Sequence, residues 1–485
     1  MLTISQALIA LIVSFLIMQF LKLRQASRHL PPGPIPLPVV GNLLQLHFHL
    51  HRDFLMKLAK IHGDIFTLWF GWTPIIVLNG FHAVKDGLTA HPEEVSGRAV
   101  SMFFRVIEKG KGIIFSNGRT WKQQRRFGVM TLRHLGMGKK GLEYWVQEEA
   151  HHLLQHFAKK PLDPCLPLFH SVSNVICAVV FGYRFPSEDK NFHRLLKATE
   201  TLFRFTESLG HHLYELAPHI IHHLPGPHKK ALSAYDVLNS FAKMEITRHL
   251  ERGIPDKPQD FIDFYLVEME KAKDGSKSAY DEDNLAHTIV DLFLAGSETT
   301  ATTLYWSLLY MVAYPDIQEK VQQELDAVLG SSQLICYEDR KKMPYTNAVI
   351  HEIQRFSNII PVGLPRVCAK NTMLLGFPLG TTIFPNIGSV LYDPEQWETP
   401  RQFNPGHFLD KDGNFVNQKA FLPFSAGHRV CLGELLARTE LFIFFSNLLR
   451  AFTFRLPEGV KQVNIEPILA GTWQPHPYGI CAVPR

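Results

Sequence analysis

Cysteine is scarce in this chain: six residues among 485, placed singly at 165, 177, 336, 368, 431 and 481. There is no C-x-x-C pair and no zinc-ligand spacing, and disulfide frameworks belong to short secreted chains. The six therefore read as reduced thiols facing the cytosol, one of them functional. There is no H-E-x-x-H either. Histidines alternate at His47, His49 and His51 and pair at His211-His212 and His222-His223. No carboxylate or cysteine stands at ligand spacing beside them, so they read as surface or membrane-proximal loop residues. A strong charge bias is also missing: 50 basic against 45 acidic residues give +5, which makes no case for nucleic acid. Length alone would suggest two or three domains. From residue 41 onward, however, no linker, repeat or low-complexity tract breaks the chain.

What is present is apolar bulk, 46% of residues against 20% charged. Residues 2–21 (LTISQALIALIVSFLIMQFL) carry no charge and just suffice to cross a bilayer. Lys22, Arg24 and Arg28 follow, and the positive-inside bias then puts the downstream chain in the cytoplasm. A cleaved signal peptide is the weaker reading, because the charges follow the apolar stretch. Prolines at 31, 32, 34, 36 and 38 impose an extended, semi-rigid spacer. The expected organisation is an anchor at 1–21, a basic and proline-rich hinge at 22–40, and one catalytic domain at 41–485. Within that domain, residues 64–79 (DIFTLWFGWTPIIVLN) alternate as a hairpin does. Helix-period runs fill roughly 118–330, and strand-like pieces recur near 372–385 and 472–484. The fold class is mostly α with a small β region. Seven Trp and 35 Phe supply material to wrap a large flat cofactor.

Residues 424–433 (FSAGHRVCLG) are the most informative stretch. Cys431 opens an amphipathic run, which puts it at a helix N-terminus, where free N–H groups and the dipole favour an anionic sulfur. Such a thiolate ligates haem iron and pushes electron density into it. Gly427 permits a tight turn, and Gly433 permits close approach to a flat ring. Arg429 matches a haem propionate in fork geometry. The plain alternative is a buried structural cysteine after a glycine turn. With Phe424, Ser425, Gly427, Arg429, Cys431 and Gly433 in place, F-S-x-G-x-R-x-C-x-G is complete. In this the chain resembles a cytochrome P-450.

Between 281 and 314 there is no proline and only one glycine, Gly296, which predicts a long buried helix. At its middle stand Ala295, Gly296, Ser297, Glu298, Thr299 and Thr300. Gly and Thr weaken a helix centre, so a local opening is expected there, with room for dioxygen. Thr299 and Glu298 form an acid–alcohol pair able to deliver protons; an ordinary Thr-rich helix face is the alternative. Trp121 and Arg125 share a helix face and are read as pointing together at a propionate. Lys122 and Arg126 lie on a neighbouring, outward face. Glu352 and Arg355 form an E-x-x-R pair that carries little weight alone.

The resemblance adds roles to these positions. It implies that Glu352 and Arg355 form a buried structural network with a downstream segment, here residues 403–408. In that segment His407 stands where Arg is common and Gly406 where Glu is common, which leaves the third member open. Arg98 and Arg366 align with propionate contacts, and Ala295 with the haem face of the long helix. Lys122 and Arg126, extended by Lys139-Lys140, would form part of the docking surface for a redox partner. Phe103, Phe104, Phe203, Asp291, Leu294, Leu364 and Trp473 are candidates to line the substrate cavity. Leu294 is bulkier than the Gly often found there.

Local matches at 343–348 (MPYTNA) and 437–442 (ARTELF) narrow the resemblance to the vertebrate microsomal family-two enzymes. It is most similar to the J subfamily of fatty-acid epoxygenases. That implies an NADPH- and O₂-dependent monooxygenase hydroxylating or epoxidising a lipophilic substrate: a polyunsaturated fatty acid such as arachidonate, a steroid, a retinoid or a xenobiotic. Its cofactor would be haem (iron protoporphyrin IX). Electrons would come from NADPH through a separate flavoprotein, NADPH–cytochrome P-450 reductase, with a microsomal b-type cytochrome as a further partner. The expected location is the endoplasmic reticulum membrane, catalytic domain on the cytoplasmic side. Two rivals are a haem-thiolate isomerase or dehydratase of lipid hydroperoxides, and a non-catalytic haem-binding protein. Neither needs the Glu298–Thr299 pair.

Overall fold

The structure, a computed structural model, describes residues 4–46, 52–136, 140–157, 163–272, 278–330, 334–368, 373–374, 377–378 and 382–485. His47, His49, His51 and Lys139 lie outside the described residues. The uncharged N-terminal run forms the helix Ile4–Ser27, of mean hydropathy 2.2 over its most apolar window. At 1.5 Å per residue its 24 residues span about 36 Å, enough for a hydrocarbon core. Its apolar side chains point away from the protein, and only Leu23 is buried. Removing residues 4–27 should therefore leave a folded protein that still takes up haem. Absorbance and sedimentation of the truncated chain without detergent check this, and loss of haem uptake would make the helix part of the core.

The proline segment is docked rather than free. Thr67 donates from Oγ1 to the Pro31 carbonyl and from its backbone N–H to Pro32. A Cβ on Gly33 would lie 2.0 Å from the Thr67 carbonyl, so this close approach needs glycine. The expected hairpin is the pair Ile65–Phe70 and Thr73–Leu78, in register from Ile65↔Leu78 to Phe70↔Thr73. Gly71, at φ 60°, begins its two-residue turn, as twisted hairpins require. Three short strands, Thr382–Pro385, Arg366–Val367 and Gly97–Arg98, extend the hairpin to a five-stranded sheet. Arg98 and Arg366 are directly paired there, which puts two guanidiniums side by side.

The rest is mostly helical. Asp281 caps the 32-residue helix Glu282–Ala313 by accepting from the Asn284 N–H at 2.7 Å. This helix runs through the main hydrophobic core, whose members extend from Phe103 to Ile480. The expected opening at its middle is not seen, since the helix continues unbroken through 295–300. Gly296 instead serves packing. A Cβ there would lie 2.4 Å from Ile176 on the helix Cys165–Phe181, so its absence lets two buried helices touch.

Candidate active site

The loop before the helix Glu434–Ala451 turns sharply because Ser425 and Gly427 both adopt positive φ, 65° and 73°. A Cβ on Gly427 would meet the Leu88 carbonyl at 2.2 Å, so the turn tolerates only glycine there. The Cys431 N–H donates to the Phe424 carbonyl at 3.0 Å, which closes the loop around the thiol. Cys431 does not open the helix as expected. Gly433 is the N-cap and the helix begins at Glu434, because 427–433 form the turn itself. The sulfur keeps accessible surface although chain encloses it. Burial raises its pKa, and the Gly433 N–H and Arg125 pull it partly back. Burial outweighs both of these pulls; a metal ion would deprotonate the sulfur outright. Gly433 faces open space, as close approach of a flat ring requires.

Four arginines gather beside this loop: Arg98, Arg366 and Arg429 are buried, and Arg125 is half-buried. Burial and mutual repulsion push Arg98 down to about 10 and Arg366 and Arg429 each to about 8. Arg429, expected to fork onto a propionate, is held by backbone carbonyls of the neighbouring loop. Its three nitrogens donate to the carbonyls of Ser96 (2.7 Å), Ile113 (3.2 Å) and Ser116 (2.7 Å). Its guanidinium carbon lies 4.0 Å from the centroid of the Trp121 ring. Arg125 donates to the Val430 carbonyl at 2.6 Å, next to Cys431. Arg98 donates to the carbonyls of Ile114 and Pro365. Arg366 reaches Ser425 Oγ at 3.2 Å, while its Nε and Nη1 and the Trp121 Nε1 have no hydrogen-bond partner among the described residues. Lys122 and Arg126 are exposed, as expected, and Lys122 pairs with Glu93 at 2.9 Å.

Asp291, a cavity candidate, links the long helix to the loop that bears on the arginines. Its Oδ2 accepts from the N–H groups of Ile113 (2.6 Å) and Ile114 (2.9 Å), whose carbonyls hold Arg429 and Arg98. Burial and the nearby Glu108 raise its pKa well above the carboxylate range. It acts as a strut between the long helix and the arginine-bearing loop, a role set by tertiary contact and invisible in its own helix. Positions 291, 295 and 299 share one helix face. Ala295 and Thr299 therefore continue from the arginine cluster, and both keep accessible surface midway along a mostly buried helix.

Glu298 and Thr299 are not joined by a hydrogen bond among the described residues. The Thr299 hydroxyl donates back to the Ala295 carbonyl at 2.7 Å. Glu298 Oε1 accepts from Gln474 Nε2 at 2.6 Å and Thr472 Oγ1 at 3.1 Å, on the strand Thr472–Pro475. Burial raises its carboxyl to about 7, against the pull of those hydrogen bonds. Trp473, between the two partners, is buried; its carbonyl accepts from Trp306 Nε1 and its N–H donates to Ile359. Of the other cavity candidates, Phe103 is wholly buried, Phe104 stacks on Phe115, Phe203 packs on Gly471, Leu294 is half-buried and Leu364 is exposed.

The residues 31–482 match the Cytochrome P450 family. Human Cytochrome P450 2C8 is 42% identical over 484 residues, covering 98% of this chain and 99% of that protein. Mouse Cytochrome P450 2J5 is 41% identical over 485 residues (99% and 96%), and rat Cytochrome P450 2A3 is 43% identical over 470 (96% and 95%). The chain belongs to the cytochrome P450 family. Cytochromes P450 are haem-dependent monooxygenases in which a cysteine thiolate ligates the iron and a flavoprotein supplies electrons from NADPH. The side chains of this cytochrome P450 fit that group. Four guanidiniums with unpartnered donors on Arg366, and an unpartnered indole N–H on Trp121, suit an anionic double carboxylate, and the enclosed cysteine lies beside them.

The E-x-x-R pair is buried as expected. Arg355 forks onto Glu352 with two bonds of 2.7 Å and donates to the carbonyls of Leu391, Pro400 and Gln402. His407 completes the network where Arg is common. Thr399 donates its N–H to Nε2 at 3.2 Å, which assigns the ring proton to Nδ1, 3.2 Å from Glu352.

Proposed function

We propose that this cytochrome P450 oxidises lipophilic substrates, hydroxylating or epoxidising them, with Cys431 as the thiolate ligand of the haem. Haem held by thiolate supplies the oxygen activation and the transfer of one oxygen atom. The protein supplies the rest. Arg366 and Trp121 would hold the propionates through their free donors, with Arg98 beside them, while Arg125 and Arg429 brace the loop and Phe424 closes it. The accessible surface at Ala295 and Thr299, beside a buried carboxyl of about 7, is the observation that carries the proton-delivery reading. A group titrating near neutrality can give and regain a proton. Glu298 must leave Gln474 and Thr472 to pass its proton on, and the Thr299 hydroxyl, turned from Ala295, would receive it. Phe104, Phe203, Leu294 and Leu364 offer apolar surface suited to fatty acids, steroids, retinoids or xenobiotics.

Residues 1–21 are assigned as an endoplasmic reticulum anchor, 22–40 as the hinge and 41–485 as the catalytic unit. Lys22, Arg24 and Arg28 favour the cytoplasmic side for that unit. Lys122 and Arg126 favour an acidic partner, NADPH–cytochrome P-450 reductase or a b-type cytochrome. Purified protein reconstituted with reductase, NADPH and a panel of polyunsaturated fatty acids, steroids and retinoids should yield oxygenated products that need O₂. No product from any class would overturn the lipid reading. Thr299→Ala should lower product per NADPH by roughly tenfold and release hydrogen peroxide, as expected when proton delivery fails. Unchanged coupling would remove Thr299 from the route.

A further inference from the structure

A cavity of about 520 Å³ opens between the turn Tyr337–Lys342, the first half of the helix Pro344–Ser357, the loop 414–417 and the helix Glu434–Ala451. Sites for small molecules commonly measure about 300–1,000 Å³. The lining is that of a polar site. Arg340, Lys341 and Arg438 bring three cations to it, with Tyr337, His351 and Phe415 beside them. Among the described residues no carboxylate lines it.

Local contacts fix these groups in place. The Tyr337 backbone N–H donates to Glu143 Oε1 at 2.7 Å, which ties the turn to the helix Lys140–Phe157. Arg340 folds over the Tyr337 ring, its guanidinium carbon 3.9 Å from the centroid, and donates to the Tyr337 carbonyl at 2.8 Å. The His351 ring is buried, 4.6 Å from that of Phe415. Its Nδ1 donates to the Asn347 carbonyl and its Nε2 accepts from Arg438, both at 2.7 Å. Burial and Arg438 push its pKa down to about 3, so the ring is neutral. The negative charges stand outside the lining. Glu338, exposed, is shared by Arg340 at 2.9 Å and by Lys341, and Glu434 meets Arg438 at 3.0 Å. Exposed ion pairs are weak in water, so a guanidinium exchanges such a carboxylate for a phosphate that it grips at two points. Tyr337 and Phe415 supply aromatic surface, and Arg340 a flat guanidinium, of the kind on which a nucleobase stacks. Arg438 also lies 5.0 Å from the centroid of Phe424, whose carbonyl accepts from the Cys431 N–H, so the cavity backs onto the cysteine loop.

We propose that this cavity binds a nucleoside diphosphate, its phosphates on Arg340, Lys341 and Arg438 and its base against Tyr337 and Phe415. The site is separate from the oxidation chemistry and does not depend on the substrate class. The test is equilibrium dialysis of radiolabelled ADP against full-length haem-loaded protein. Reductase is left out, because a flavoprotein that uses NADPH binds nucleotides itself. Binding should saturate at one ADP per chain with a dissociation constant below about 1 mM. Adenosine and inorganic pyrophosphate should each compete about tenfold more weakly than unlabelled ADP, since each offers half of the recognised groups. Lys341→Gln should weaken ADP about threefold, and Arg340→Gln combined with Lys341→Gln about tenfold, as loss of charge-assisted contacts predicts. No saturable binding would overturn the proposal. Pyrophosphate competing as well as ADP would show that charge alone is held and would overturn the nucleotide assignment. Undiminished binding in both variants would place ADP elsewhere on the protein and overturn this site. The Lys341 side chain is 67% exposed, so its replacement leaves the fold intact. If the double variant fails to take up haem, Lys341→Gln alone decides.

Discussion

Replacing Cys431 by histidine is expected to remove the red-shifted carbon monoxide band of the dithionite-reduced protein and to lower NADPH-driven oxidation about a thousandfold. That loss is on the order of 4 kcal/mol in activation free energy, at 1.36 kcal/mol per decade. The expectation follows from enclosure. Cys431 sits in a loop closed by its own N–H to Phe424, with Arg125 alongside. Burial disfavours a free thiolate there, so the anionic sulfur exists only when iron neutralises it. An imidazole carries no negative charge to the iron and changes the band. Retention of the thiolate band would move the ligand to another cysteine. Cys177, the fully buried one, lies in the helix Cys165–Phe181, away from the arginine cluster.

Glu352→Ala should abolish stable haem incorporation. The change strands the Arg355 guanidinium, which has no exposed side-chain surface, pairs with Glu352 and makes three further bonds to backbone carbonyls. Breaking such a buried pair from one side costs about 3–5 kcal/mol. That is a large share of the roughly 5–15 kcal/mol that keeps a protein folded. The Asn404 N–H and the His407 ring lose their acceptor as well. His407→Ala should cost less, about 1–3 kcal/mol, because it orphans one carboxylate contact and the Thr399 N–H without stranding a charge. Urea midpoints and haem content of both variants check the order. A Glu352→Ala protein with wild-type midpoint would show that the pair is dispensable.

Much of this site was legible because its determinants are local. The turn at Gly427, the position of Cys431 and the proline-free run at 281–314 are each written in consecutive residues, whose backbone preferences act over a few bonds. The hairpin at 64–79 was readable for the same reason, through its alternation. The outward face of Lys122 and Arg126 followed from helical period alone.

What the sequence by itself determined is therefore the cysteine loop, the long central helix, the apolar N-terminal helix and the family they mark. Only the tertiary structure decided partners. Arg429 donates to the carbonyls of Ser96, Ile113 and Ser116, and Asp291 holds the Ile113 and Ile114 amides of the same loop. Glu298 bonds Gln474 and Thr472, Gly296 yields to Ile176, and His407 substitutes for a cation in the Glu352 network. Each of these joins residues far apart in sequence. A buried polar group takes whatever acceptor or donor the packing brings within reach, and that choice is made by the fold, not by its neighbours along the chain.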